Sequence, residues 1–147
     1  MRYWDASALV PLVIASAASA DLERLIVQDR DVATWWGSLL ECESAVRRKE
    51  REGVLSAEAA ETARARLRAW HTEWTEVQPG DRLREDASRL LAVHPLRSGD
   101  ALQLSAALSA ARAAPSTLPF LTLDRRLAEA ARREGFVVLP DATQAHG

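Results

Sequence analysis

Four short apolar runs limit the folds open to this chain. They are "RYW" (2–4), "DVATW" (31–35), "FLTL" (120–123) and "FVVLP" (136–140). Apolar residues fall on neighbouring positions in these runs. A strand with one face in water alternates apolar and polar residues, whereas a strand covered on both faces does not. Between the runs lie stretches with helical spacing. Strands that alternate with helices, and are buried on both faces, predict an α/β layer fold with a small, mostly parallel sheet.

The helical stretches carry their own boundary signals. From Asp21, apolar Leu22, Leu25 and Ile26 recur at helical spacing. Pro11, upstream, fits an early helical turn or a loop, where its missing N–H costs little. Ser38 is a candidate cap for a helix through "LLECESAVRRKERE", and Gly53 a candidate stop. "SAEAAETARARLRAWHTEW" reads as a helix from the Ser56 cap to Trp74, with Glu58 in its first turn. Further helices are expected at about 81–93, over "DALQLSAALSAARAA" and over "DRRLAEAARREG". "HPLRSG" and "APSTLP" read as breaks, and the tail "DATQAHG" as frayed.

With 147 residues and no long linker, one domain over 1–147 is expected. Apolar runs fall far short of the roughly 18 residues of a membrane span, and no signal peptide is visible. Cys42 is the single cysteine, which excludes an internal disulfide framework and fits a reducing, cytoplasmic setting. The formal net charge of -2 gives no bulk attraction to nucleic acid or anionic lipid, so any nucleic-acid role needs local patches. Lys49 is the only lysine among 19 basic residues. Arginine holds phosphate bidentately, although GC-rich coding also favours Arg and Ala.

In a parallel sheet, ligands sit beyond the carboxyl ends of the strands. Asp5 follows "RYW", Asp124 follows "FLTL", Asp100 opens "DALQLSAAL", and Glu41 lies one turn into the helix after "DVATW". Taken singly, the aspartates read as helix caps and Glu41 as a solvated helix face. Taken together, they raise an electrostatic question. Two carboxylates about 4 Å apart repel by roughly 4 kcal/mol at an effective dielectric near 20. Converging acids must hold protons or meet a cation. Hard oxygen donors suit Mg²⁺ or Mn²⁺, which can activate a water against a phosphodiester.

Four segments, in order, are similar to motifs of the PIN-domain family, in particular its VapC toxins. "YWDASALVPL" resembles the opening strand, with Asp5 and, two residues later, Ser7. "TWWGSLLECESAVRR" resembles the segment bearing the family glutamate: Glu41 is followed by Ala45 four places on and Arg47 six places on. "LRSGDALQLSAAL" resembles "LR-x-x-DALHLAAA" and places Asp100, with Gln103 where the family often has His. "FLTLDRRLAEAARREGF" resembles "FVT-x-D-x-x-L-x-x-AA-x-x-x-G" and places Asp124. The resemblance spans about 2–140. It implies a three-layer α/β/α sandwich and a Mg²⁺- or Mn²⁺-dependent endoribonuclease. Asp5, Glu41 and Asp100 would be the main metal-site acids, Asp124 would complete the site, and Ser7 and Thr122 would hydrogen-bond and position the carboxylates. It also implies a toxin of a type II toxin–antitoxin pair. Such a toxin cleaves RNA, is blocked by a VapB-like antitoxin lying along a groove near the site, pairs as a homodimer and reaches operator DNA only through the antitoxin.

Glu43 lies about 200° round the helix from Glu41, so the two cannot face one metal, and Glu41 better fits the motif. Arg47, Arg48, Lys49 and Arg51, or Arg125 and Arg126, are candidate RNA contacts. His71, His94 and His146 are scattered and read as structural or solvated. Cys42 reads as a small buried residue, and Trp70 and Trp74, four apart, as packing against a neighbour rather than stacking on bases. Two other functions fit the same pattern: a PIN nuclease for RNA processing without an antitoxin, and a PIN-fold interaction module without catalysis. A phosphatase with Asp5 as nucleophile would want a second Asp where Ser7 stands.

Overall fold

The computed structural model describes residues 1–14 and 19–141. Its elements run β1 (Arg2–Trp4), α1 (Ala6–Val13), α2 (Ser19–Gln28), β2 (Val32–Trp35), α3 (Ser38–Arg51), α4 (Ala57–His71), β3 (Thr75–Val77), α5 (Asp81–Val93), α6 (Ser98–Ala110), β4 (Phe120–Leu121), α7 (Arg125–Arg133) and β5 (Val138–Leu139). The five strands form one sheet in the order β3-β2-β1-β4-β5, and every pairing is parallel.

Consecutive strand residues enter opposite layers, which makes a three-layer α/β/α sandwich. Tyr3, Ala33, Trp35 and Phe120 pack with α5, α6 and α7. Trp4, Val32 and Leu121 pack with α1, α2, α3 and α4. A strand wetted on neither face explains the unbroken apolar runs. Tyr3 stacks on Phe120 at 5.2 Å between ring centres. Leu104, fully buried in α6, lies in the first of these cores. Leu104→Ala should therefore cost about 2–5 kcal/mol, read by chemical denaturation.

Several helix ends follow local chemistry. Ser56 Oγ accepts the Ala59 N–H at 3.0 Å and caps α4. Gly53 takes φ +75° after α3, its N–H bonding the Glu50 carbonyl and the Val54 N–H that of Lys49, an αL stop that suits glycine. Ser38 departs from expectation. It is the first residue of α3 after the Gly37 cap, and its hydroxyl points into the protein interior instead.

Three other boundaries differ from the sequence reading. β3 was not foreseen, and α4 ends at His71, three residues before Trp74. "TEV" is a half-buried edge strand with no apolar run to reveal it. α6 starts at Ser98, so Asp100 lies in its first turn rather than at its cap. Pro11 lies inside α1, which stops at Val13. Trp70 and Trp74 meet edge to face at 5.3 Å, and Cys42 is fully buried. His71 and His94 face Glu76 and Glu134 at 3.0 and 2.8 Å. His146 and residues 142–147 of the tail lie outside the described residues. No helix among the described residues is long and apolar enough to cross a membrane.

Candidate active site

The strand order reverses at β1, whose neighbours are β2 and β4. At such a switch point the connections leave on opposite faces and open a crevice at the carboxyl edge. The expected acids belong to the elements that begin there.

Asp5 is the N-cap of α1 and is only 3% exposed. Its Oδ1 accepts the Ser7 N–H, and its Oδ2 accepts the Thr122 hydroxyl. Thr122 Oγ1 also accepts the Asp124 N–H at 3.0 Å and lies 3.2 Å from Ser7 Oγ. Ser7 Oγ in turn accepts the Leu123 N–H at 2.8 Å. These bonds tie the start of α1 to the turn between β4 and α7. Burial pushes the Asp5 carboxyl up to about 6; the bonds from Thr122 and Ser7 pull against that, and the Asp124 charge adds to it. Asp5 therefore caps α1 and is also a buried acid whose charged form burial disfavours.

Asp124 caps α7, accepting the Arg126 and Leu127 N–H groups at 2.9 and 3.1 Å. Asp100 is raised by burial and by Asp124, against the opposing charges of Arg97 and Arg126. Glu41 is pushed up to about 7 by burial, with Asp5 and Asp100 adding to it and a bond from Gln103 opposing.

Glu41, Asp100 and Asp124 line one groove of about 580 Å³ with Arg97, Ser98, Gly99 and Arg126. It joins a larger groove of about 840 Å³ through Glu41, Arg97 and Asp100. The larger groove has apolar walls from Val10, Pro11, Ile14, Leu40 and Leu123, and carries Arg48 and Lys49. Asp5 lies buried beside these grooves rather than on their surface. Among the described residues, no three His, Cys, Asp or Glu side chains are grouped so as to hold one ion.

Glu43 turns the other way, toward α4, with its Oε1 3.9 Å from Arg68 Nε. An exposed pair of this kind contributes at most about 1 kcal/mol. Glu43→Ala should therefore leave any activity of the groove unchanged and shift stability by less than that, as thermal melting and a cleavage assay would read. Of the basic candidates, Arg48, Lys49 and Arg126 line the grooves. Arg47 instead bonds Glu50 at 3.2 Å, and Arg51 and Arg125 are not part of either lining.

Two groups escaped the sequence reading. Arg97 touches both grooves. The signal was present, because it is the Arg of "LRSGD". The second is a buried polar chain on β1, β2, α3 and α6. The Tyr3 hydroxyl donates to Gln103 Oε1 at 2.6 Å, and Gln103 Nε2 donates to Ser38 Oγ at 2.8 Å and to Glu41 Oε2 at 3.3 Å. Thr34 Oγ1 is 2.7 Å from both Ser38 Oγ and the Trp4 carbonyl. No motif announces it, since its members are far apart in sequence. Neither a protein-family model nor a curated protein matches this chain.

Proposed function

We propose that the chain is a divalent-metal-dependent endoribonuclease, the toxin of a type II toxin–antitoxin pair blocked by a small VapB-like antitoxin. The observation that carries this reading is the groove in which Glu41, Asp100 and Asp124 stand among Arg97 and Arg126, with Asp5 buried beside them. Acids alone would repel an RNA backbone, and arginines alone would bind it without chemistry. The donors are all carboxylate oxygens, and burial and mutual repulsion disfavour the charged forms of Asp5, Glu41 and Asp100. That set fits a hard cation such as Mg²⁺ or Mn²⁺, which would favour those charged forms. By the PIN-family resemblance Asp5, Glu41 and Asp100 would hold it, with Asp124 completing the site, once their side chains draw closer than the separate positions they take here. When bound, it would lower the pKa of a water and offset charge on a phosphodiester.

The chain's own residues do the remaining work. Arg97 and Arg126 offer charge-assisted hydrogen bonds to phosphate beside the acids. Arg48 and Lys49 extend positive charge along the larger groove. Thr122 and Ser7 keep both Asp5 oxygens in fixed directions. The apolar walls of the larger groove would suit the antitoxin segment. Pairing as a homodimer, and contact with operator DNA through the antitoxin alone, follow from the PIN-family resemblance.

The purified chain should cleave RNA in Mg²⁺ or Mn²⁺ and stop when the metal is chelated. No cleavage under either ion would sink the reading in favour of an interaction module. Sequencing of RNA ends after controlled expression would define the target. A short antitoxin frame beside the gene separates the toxin from an RNA-processing nuclease.

A further inference from the structure

Gln103 lies on α6, nearly one turn beyond Asp100, and is 2% exposed. Its hydrogen bonds use both amide protons and the oxygen. Oε1 accepts the Tyr3 phenol, while Nε2 gives one proton to Ser38 and the other to Glu41. When Glu41 is ionised, the direction of the amide follows from chemistry, because an ionised carboxylate only accepts. Turned over, the amide would set its oxygen against the Glu41 carboxylate.

The brace behind Gln103 is firm. Tyr3 is fully buried and stacked on Phe120, and Ser38 is fully buried against Thr34. A half-satisfied network in such a place would cost more than an apolar core. Glu41 has a flexible stem, and Gln103 is the hydrogen-bond donor that meets its Oε2. Its Oε1 lies on the Gly99 side, 4.0 Å from where a glycine Cβ would sit, at the start of the helix that carries Asp100.

We propose that Gln103 is a positioning residue: its amide, braced by Tyr3 and Ser38, aims the Glu41 carboxylate into the groove it shares with Asp100. The proposal rests on the metal-dependent reading above. Two readouts test it on the full chain. The first is Mn²⁺ affinity by calorimetry for the wild type, Gln103→Met and Tyr3→Phe. Methionine keeps the unbranched shape without the amide, and phenylalanine keeps the stacked ring without the hydroxyl. Loss of such a supporting partner weakens metal binding by about 10–100-fold. Gln103→Met is expected in that range, and Tyr3→Phe in the same direction by less.

The second readout needs no metal. In alkaline buffer, the carboxyl ¹³C signal of Glu41, assigned by its loss in Glu41→Gln, should move in Gln103→Met and Tyr3→Phe, while that of Asp124 stays. An unmoved Glu41 signal in a folded variant overturns the proposal. If Gln103→Met does not fold, Tyr3→Phe decides by the same measure. A wild type that binds no Mn²⁺ overturns the metal reading, and the ¹³C signal still decides the role of Gln103. A wild type that binds Mn²⁺ while both variants bind equally well overturns the proposal alone.

Discussion

Asp5→Asn is expected to cut RNA cleavage by about 10²–10³-fold while leaving the fold standing, the size of effect seen when one well-placed electrostatic group is removed from an active site. The structure makes this substitution unusually clean. An asparagine oxygen can still accept the Ser7 N–H and so cap α1. Its amide nitrogen meets Thr122 Oγ1, which can accept that proton and turn its own toward Ser7 Oγ at 3.2 Å. The cap and the link to β4 survive, and the charge alone is lost. Asp5→Ala would confound the two, since losing an N-cap costs about 0.5–2 kcal/mol. Cleavage is measured on a defined RNA with excess Mg²⁺, and folding by circular dichroism. Full activity in a folded Asp5→Asn protein would remove Asp5 from the chemistry.

The second large effect runs in the opposite direction. Without divalent metal, Asp5→Asn should be more stable than the wild type at alkaline pH. In the folded protein Asp5 titrates at about 6 and Glu41 at about 7, against ordinary values of 3.8 and 4.5. Between the ordinary and the raised values, the folded state holds protons that the unfolded chain has released. Stability therefore falls as pH rises through roughly 4 to 7. Below that window both states are protonated and the contribution is whole; above it, the contribution is lost. For Asp5 the gap corresponds to ~3 kcal/mol. Asparagine imitates the neutral carboxyl and avoids this loss, so the melting temperature should rise by roughly 6–12 °C at about pH 8. Glu41→Gln should give a smaller gain, because Glu41 opens onto the groove, where water screens it. Thermal melts in a chelator should converge toward about pH 4 and separate toward about pH 8. A wild type as stable as Asp5→Asn at the upper end contradicts the prediction. Opposite signs for activity and stability are what a site of crowded buried charges requires.

Some of this was legible residue by residue. The apolar runs around Tyr3, Ala33, Phe120 and Val138 already required a sheet covered on both faces, because burial on two sides leaves no place for alternation. Ser56, Gly53 and Asp124 mark helix ends through bonds made within a few residues, and these need no tertiary context. β3 was hidden for the converse reason. A three-residue edge strand draws its hydrogen bonds from a neighbour about forty residues away in β2, so its own composition carries little signal. Ser38 had the chemistry of a cap, but packing against Gln103 and Thr34 took its hydroxyl instead.

The acids divide in the same way. Their identity, and their places after strands or in first helical turns, are local facts, and the chain alone determined them for Asp5, Glu41, Asp100 and Asp124. Helical geometry alone could also say that Glu41 and Glu43 face different directions. Which of the two meets the groove depended on where α4 packs, since Arg68 draws Glu43 away while Gln103 holds Glu41. The depth of Asp5, the hydroxyl of Thr122 beside it and the approach of Arg126 to Asp100 were likewise decided by the tertiary structure. Residue type and local spacing set what each side chain can do. Burial and partners from other elements of the fold set its charge, its direction and its neighbours, and only packing supplies those.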